Sequence, residues 1–285
     1  MDTPQLRHEL FINTILLGGT PVEKAAAAAA AGFDRIELWT HDLDAFGGTP
    51  EDLGAEFAAR SVGVLDFQVL RDFDGATDAA REGKRAEALH HLDLAVRLGA
   101  PMVLVAASTD PDSQADRIVD DLRWLAERAR ERGLRVAYES LAWSTRSTTL
   151  VEAWARVREA DRENLGIVID PFHVFVHGRT ADDLEGIPAD RVFLVQLSDL
   201  PHTVTPDVVI ETARHHRLLP GEGTFDLRSV LVRLLRDGYD GPIGIEVFND
   251  VMKASDPVLV AQRAMLALRS VLHSAMETSS AEGVA

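Results

Sequence analysis

The stretch LGIVIDPFHVFVHG, residues 165–178, runs through five apolar or glycine positions and then delivers Asp170 and His173 almost together. A continuous apolar run of strand length, without polar alternation, marks a strand buried on both faces, as in a parallel sheet. A carboxylate and an imidazole at the end of such a strand are costly to bury unless something compensates them. Whether this is an accident of one segment depends on how the other apolar runs of the chain end.

They recur as LFINTILL, RIELW, VGVLDFQVL, MVLVAA, RVAYES, LGIVID, VFLVQLSD and IGIEVF. Between them lie VEKAAAAAAAG, KRAEALHHLDLAVRLG, QADRIVDDLRWLAERARERG and FDLRSVLVRLLRDG, each with apolar residues at helical spacing and a closing glycine suited to a left-handed cap. Eight strands alternating with helices over 285 residues are the expected content of an α/β (β/α)8 TIM barrel made as a single domain. An open doubly wound sheet is the competitor, but no strand is followed by a GxGxxG turn or a Walker loop. The domain is expected over residues 1–276, with ETSSAEGVA, 277–285, as a flexible tail.

Composition narrows the function. The formal charge of −17 argues against nucleic acid as a partner, because phosphate binding needs clustered Lys and Arg. With no cysteine, any metal must be held by oxygen or imidazole, which points to a hard divalent ion. No apolar run reaches membrane-span length, and the start MDTPQLRHEL has neither the basic segment nor the apolar stretch of a signal peptide, so a cytoplasmic protein without membrane contact is expected. Homo-oligomerisation is left open.

In such a barrel, chemistry collects where the C-terminal strand ends meet their loops. Those positions are Glu37, Arg71, Glu139, Asp170, Gln196 and Glu246. One acid at a strand end is most often a helix cap or a salt-bridge partner, but Glu139, Asp170, Gln196 and Glu246 come from strands five to eight and can converge on one point. Buried carboxylates repel one another and lose hydration unless a cation neutralises them. Three carboxylates and an amide oxygen suit Mn2+, Mg2+ or Co2+ better than a closed zinc site. His173 is expected in a loop over the barrel mouth, since Pro171 breaks the strand; there it could serve as general base or as metal ligand. Arg71 and Arg217 are either solvated loop charges or clamps for an anionic small-molecule substrate. Glu37 is expected to line the mouth and orient other side chains, and Asp199 to support a ligand from behind. His177, His215, His216 and Glu222 read as surface residues.

The segments GFDRIELW, YESLAW, VIDPFH, VQLSD, LLPGEGTFDL and GYDGPIGIEVFND, in this order over nearly the whole chain, resemble the xylose isomerase-like TIM barrels of the sugar phosphate isomerase/epimerase superfamily. The likeness is strongest to its bacterial 3-dehydroshikimate dehydratase branch, in which glutamine stands at the strand-seven ligand position. The resemblance implies Glu139, Asp170, Gln196 and Glu246 as metal ligands, His173 as base, and Arg71 and Arg217 as substrate-binding groups. It implies a hydro-lyase that converts 3-dehydroshikimate to protocatechuate through an enolate. The branch carries a histidine after the strand-five glutamate; here the segment is WSTRST, which brings Arg146 into the expected substrate site. The alternative is a metal-dependent isomerase or epimerase of a keto sugar or inosose, which would use the same metal and the same enolate.

Overall fold

The computed structural model describes residues 8–202 and 204–282. Its strands are β1 (Leu10–Asn13), β2 (Arg35–Trp39), β3 (Gly63–Leu70), β4 (Met102–Ala106), β5 (Arg135–Glu139), β6 (Leu165–Ile169), β7 (Val192–Leu197) and β8 (Ile243–Ile245). All neighbours pair in parallel and in chain order, and β8 returns to β1, so the sheet closes into a (β/α)8 barrel. The helices are α1 (Pro21–Ala31), α2 (Thr40–Phe46), α3 (Pro50–Ala58), α4 (Asp78–Leu98), α5 (Ile118–Arg130), α6 (Leu150–Ala160), α7 (Pro171–Phe175), α8 (Val209–His215), α9 (Leu227–Arg236), α10 (Asp250–Lys253) and α11 (Pro257–Glu282). The alanine-rich α1 begins in a capping box between Thr20 and Glu23 and stops at Gly32, whose φ of 87° is left-handed.

Two apolar cores follow from strand alternation. Outward residues such as Ile12, Ile36, Val103, Val136, Ile167, Val195 and Ile245 pack with the helices. Inward residues Phe11, Leu65, Met102, Leu104, Ala137, Val168, Phe193 and Leu194 fill the barrel itself. Because side chains repeat a face every second residue, the next inward position above Phe11 is Asn13, above Ala137 Glu139, above Val168 Asp170 and above Leu194 Gln196. On β8 the lower position is Gly244, where a Cβ would sit 2.2 Å from the Phe11 carbonyl oxygen, and the next inward residue is Glu246. The apolar runs thus end in polar groups because the barrel interior changes character one layer from its top.

Strand lengths depart from expectation at two ends. LFINTILL is a strand only to Asn13, whose Oδ1 accepts the Ile15 N–H at 3.0 Å and starts a 3-10 turn over Thr14–Leu16. IGIEVF is a strand only to Ile245. The segment expected as a tail, 277–285, starts within α11, which continues to Glu282, with the Thr278 hydroxyl donating to Ser274 O at 3.0 Å; residues 283–285 lie outside the described residues.

Candidate metal centre and active site

The register staggers the polar inward residues toward the mouth: Asn13 pairs with Glu37, and Gln196 with Gly244, two residues before Glu246. Glu139, Asp170, Gln196 and Glu246 are all buried there. Gln196 Nε2 donates to Glu37 Oε1 at 2.9 Å and to Glu246 Oε1 at 3.3 Å, and Asn13 Nδ2 donates to Glu246 Oε1 at 3.1 Å. Both neighbours of Gln196 are acceptors, which fixes the orientation of its amide. Its Oε1 is left buried without a donor. Above this ring opens a cavity of about 650 Å³ lined by Trp39, Arg71, Glu139, His173, Arg217 and Glu246, among others.

Electrostatics set the ring apart from the rest of the interior. Burial pushes Glu139 well above the usual carboxylate range, and Glu246 and Asp170 add to the push by repulsion. Glu246 is raised by burial to about 7, against the opposing pull of Arg217, and Asp170 is raised by burial against the same cation. Beneath them, burial lifts Asp66 to about 8, and burial together with the Asp66 charge lifts Glu37 well up. Neither oxygen of Asp66 receives an N–H or hydroxyl donor, so a proton held between these two carboxyls is what their surroundings favour.

His173 is not in a loop. Asp-Pro opens α7: Asp170 is the N-cap, accepting the Phe172 N–H at 2.8 Å, and Pro171 takes the first helical position, where its missing N–H costs nothing. One turn of helix carries the imidazole back to the centre, fully buried, with Trp143 edge-on at 5.1 Å. The Ala142 N–H donates to Nδ1 at 3.0 Å, so the neutral ring bears its proton on Nε2. Burial and the Arg217 charge hold the ring well below its ordinary pKa, hence neutral. Nε2 lies 3.6 Å from Asp170 Oδ2 and 3.8 Å from Glu139 Oε1. In this tautomer it presents an N–H toward the two carboxylates, with which it forms one buried cluster that could hold a metal.

Arg217 is threaded into the mouth by short antiparallel bridges, Leu218 with Asp199 after β7 and His216 with Asn249 after β8. Its Nη1 donates to Asp170 Oδ2 at 2.7 Å and Glu246 Oε2 at 3.3 Å, with the guanidinium 4.3 Å over Phe172. It is thus the built-in cation of the ring. Glu37 does not line the mouth: it sits below, accepting amide donors from Gln68 at 3.1 Å and from Gln196, and so orients ligands rather than substrate. Arg146 does not line the cavity either; its Nε donates to Ser113 O at 2.9 Å, while Leu141 and Trp143 of the same loop do line it. Asp199 supports no ligand. Its carboxylate accepts the N–H groups of Gly221, Gly223 and Phe225 at 2.9–3.0 Å, and a Cβ on Gly223 would strike Leu200 O at 2.1 Å, so the PGEG turn is built around Asp199. Arg71 lines the cavity, 5.1 Å over the Trp39 ring. Sequence reasoning missed Arg214, which also lines it; the signal was its place three residues before Arg217 in ARHHR.

The donor set fits a divalent cation. Three buried acids share one buried arginine, the Gln196 amide oxygen is buried without a donor, and ligand atoms of Glu139, Asp170 and His173 lie within 4.8 Å of one another. A dication would restore the charge balance, and oxygen donors suit a hard ion.

The sequence signature of the xylose isomerase-like TIM barrels matches residues 25–271. The chain belongs to this family. Among xylose isomerase-like barrels, it is 39% identical over 265 residues to a 3-dehydroshikimate dehydratase of Pseudomonas aeruginosa, covering 92% of this chain and 41% of the relative. It is 37% identical to the Pseudomonas putida protein of the same name, again over 92% of this chain and 41% of the relative. The chain thus spans about two-fifths of the length of these curated relatives. A solved xylose isomerase-like TIM barrel/4-hydroxyphenylpyruvate dioxygenase fusion protein superposes with a TM-score of 0.92 at 34% identity, over 97% of this chain and 44% of that one. Among the described residues no helix is long and apolar enough to cross a membrane.

Proposed function

We propose that the chain is a hydro-lyase that removes water from 3-dehydroshikimate to give protocatechuate, with Mn2+, Mg2+ or Co2+ held by Glu139, Asp170, Gln196 and Glu246. The observation that carries this reading is the meeting of three buried carboxylates and a donorless amide oxygen from β5 to β8, in a chain whose relatives at 37–39% identity bear that name.

Glu139, Asp170, Gln196 and Glu246 would hold the dication, which when bound would supply positive charge beside the substrate ketone. Arg217 offsets the remaining negative charge of Asp170 and Glu246. Arg71 is placed at the opening to hold an anionic group. His173 offers Nε2–H to the hydroxyl that departs from the neighbouring carbon; serving as base would require that proton on Nδ1, where the Ala142 N–H already points. The proton lost from the carbon beside the ketone replaces the one that His173 gives to the departing hydroxyl, so that the net loss is one water, and transfer of a proton from the ring methylene to the ketone oxygen completes the aromatic ring.

The test is ultraviolet absorbance with 3-dehydroshikimate and Mn2+ or Mg2+, beside a chelated control. Protocatechuate should appear only with metal. One bound equivalent of metal with no aromatic product would overturn the dehydratase reading in favour of isomerisation of a keto sugar or inosose.

A further inference from the structure

Resting on that substrate reading, we infer that Arg214 joins Arg71 in a two-guanidinium receptor for the carboxylate of the substrate, at the solvent end of the cavity. Arg71 leaves the top of β3 and Arg214 the last turn of α8, and both are exposed at the opening. Both line the main cavity and also a second one of about 830 Å³ that continues past Trp39 and Phe248 toward Lys253. They are close enough for the charge of Arg214 to disfavour protonation of Arg71, although burial weighs more.

Neither member of the pair rests on an anion, although both line a cavity. The chain has 46 acidic and 29 basic residues, and many of its arginines are taken up by carboxylates, as Arg97 by Glu51 and Arg132 by Asp93, both at 2.7 Å. Among the described residues neither Arg71 nor Arg214 has a carboxylate within ion-pair distance. Two adjacent, unpaired guanidinium groups repel each other, and a visiting carboxylate relieves that repulsion by accepting from both. Arg217 differs from the pair in being engaged already, its Nη1 shared between Asp170 and Glu246. Exposure also grades correctly: the acids of the ring are buried at the floor, the two arginines are at the rim, and a substrate held at both ends is fixed in direction.

The experiment is a tryptophan-fluorescence titration of the manganese-loaded protein with protocatechuate and with catechol, which has the same two hydroxyls and no carboxylate. Wild type should favour protocatechuate. Arg214→Met should weaken protocatechuate binding about ten-fold and leave catechol binding within about two-fold, and Arg214→Lys should recover part of the loss. Equal weakening of both ligands, or no change in the preference, would overturn the receptor. The two readings fail separately: a chain that discriminates through Arg214 but makes no protocatechuate loses the dehydratase assignment alone, and one that makes protocatechuate without Arg214-dependent discrimination loses the receptor alone.

Discussion

The lower and upper layers of the barrel interior are built by the same strands two residues apart, yet they do opposite things. Ala137, Val168 and Leu194 gain by leaving water. Glu139, Asp170 and Gln196, one inward step further on, lose hydration, and two of them repel each other. The difference shows that a parallel strand can stabilise with one inward residue and hold charge with the next. The apolar layer beneath supplies stability that the acids do not.

Breaking the upper layer should cost function and not stability. Glu139→Gln should lower bound metal and reduce turnover by about 10²–10³-fold or more, while the melting temperature of the metal-free protein rises, because an acid repelled by Glu246 and Asp170 is gone. Metal analysis with a thermal melt in chelator measures both, and a fall in stability would show that the ring is not repulsive.

Breaking the lower layer should do the reverse. Leu194→Ala empties part of the inner core and should cost about 2–5 kcal/mol in urea denaturation, with kcat nearly unchanged. A loss of turnover as large as that of Glu139→Gln would mean that the layers are not separable.

A smaller effect sharpens the comparison from outside the ring. His91 is buried, stacked at 4.4 Å on Phe67, and donates Nε2–H to Phe67 O at 3.1 Å; burial drops its pKa to about 4. Its folded value lies below its unfolded one, so its contribution is complete above about pH 6.5 and is lost as the pH falls toward 4, by up to about 3 kcal/mol. His91→Gln should therefore flatten the dependence of the urea midpoint between pH 7 and 4. An unaltered slope would assign the acid sensitivity elsewhere.

The barrel was legible because strands buried on both faces leave uninterrupted apolar runs, and the convergence of Glu139, Asp170, Gln196 and Glu246 because those runs end abruptly in oxygen donors. What alternation does not carry is the path of the chain above the strands. Arg146 follows a strand end as Arg71 does, but its loop folds back on Ser113. Pro171 read as a strand breaker, whereas after Asp170 it starts a helix that returns His173 to the centre. Glu37 and Asp199 occupy strand ends of the expected kind, and only tertiary contacts show that one faces amides and the other the turn after Pro220. Arg214 sits in an ordinary helix whose partner across the mouth is 143 positions away in sequence, at Arg71.

Arg217 has a consequence for the order of assembly. Because the ring brings its own cation on a chain segment bridged to the ends of β7 and β8, the polypeptide can complete its barrel before any ion arrives. A divalent ion would then enter a socket that the fold has already assembled, with part of its charge balance supplied by Arg217.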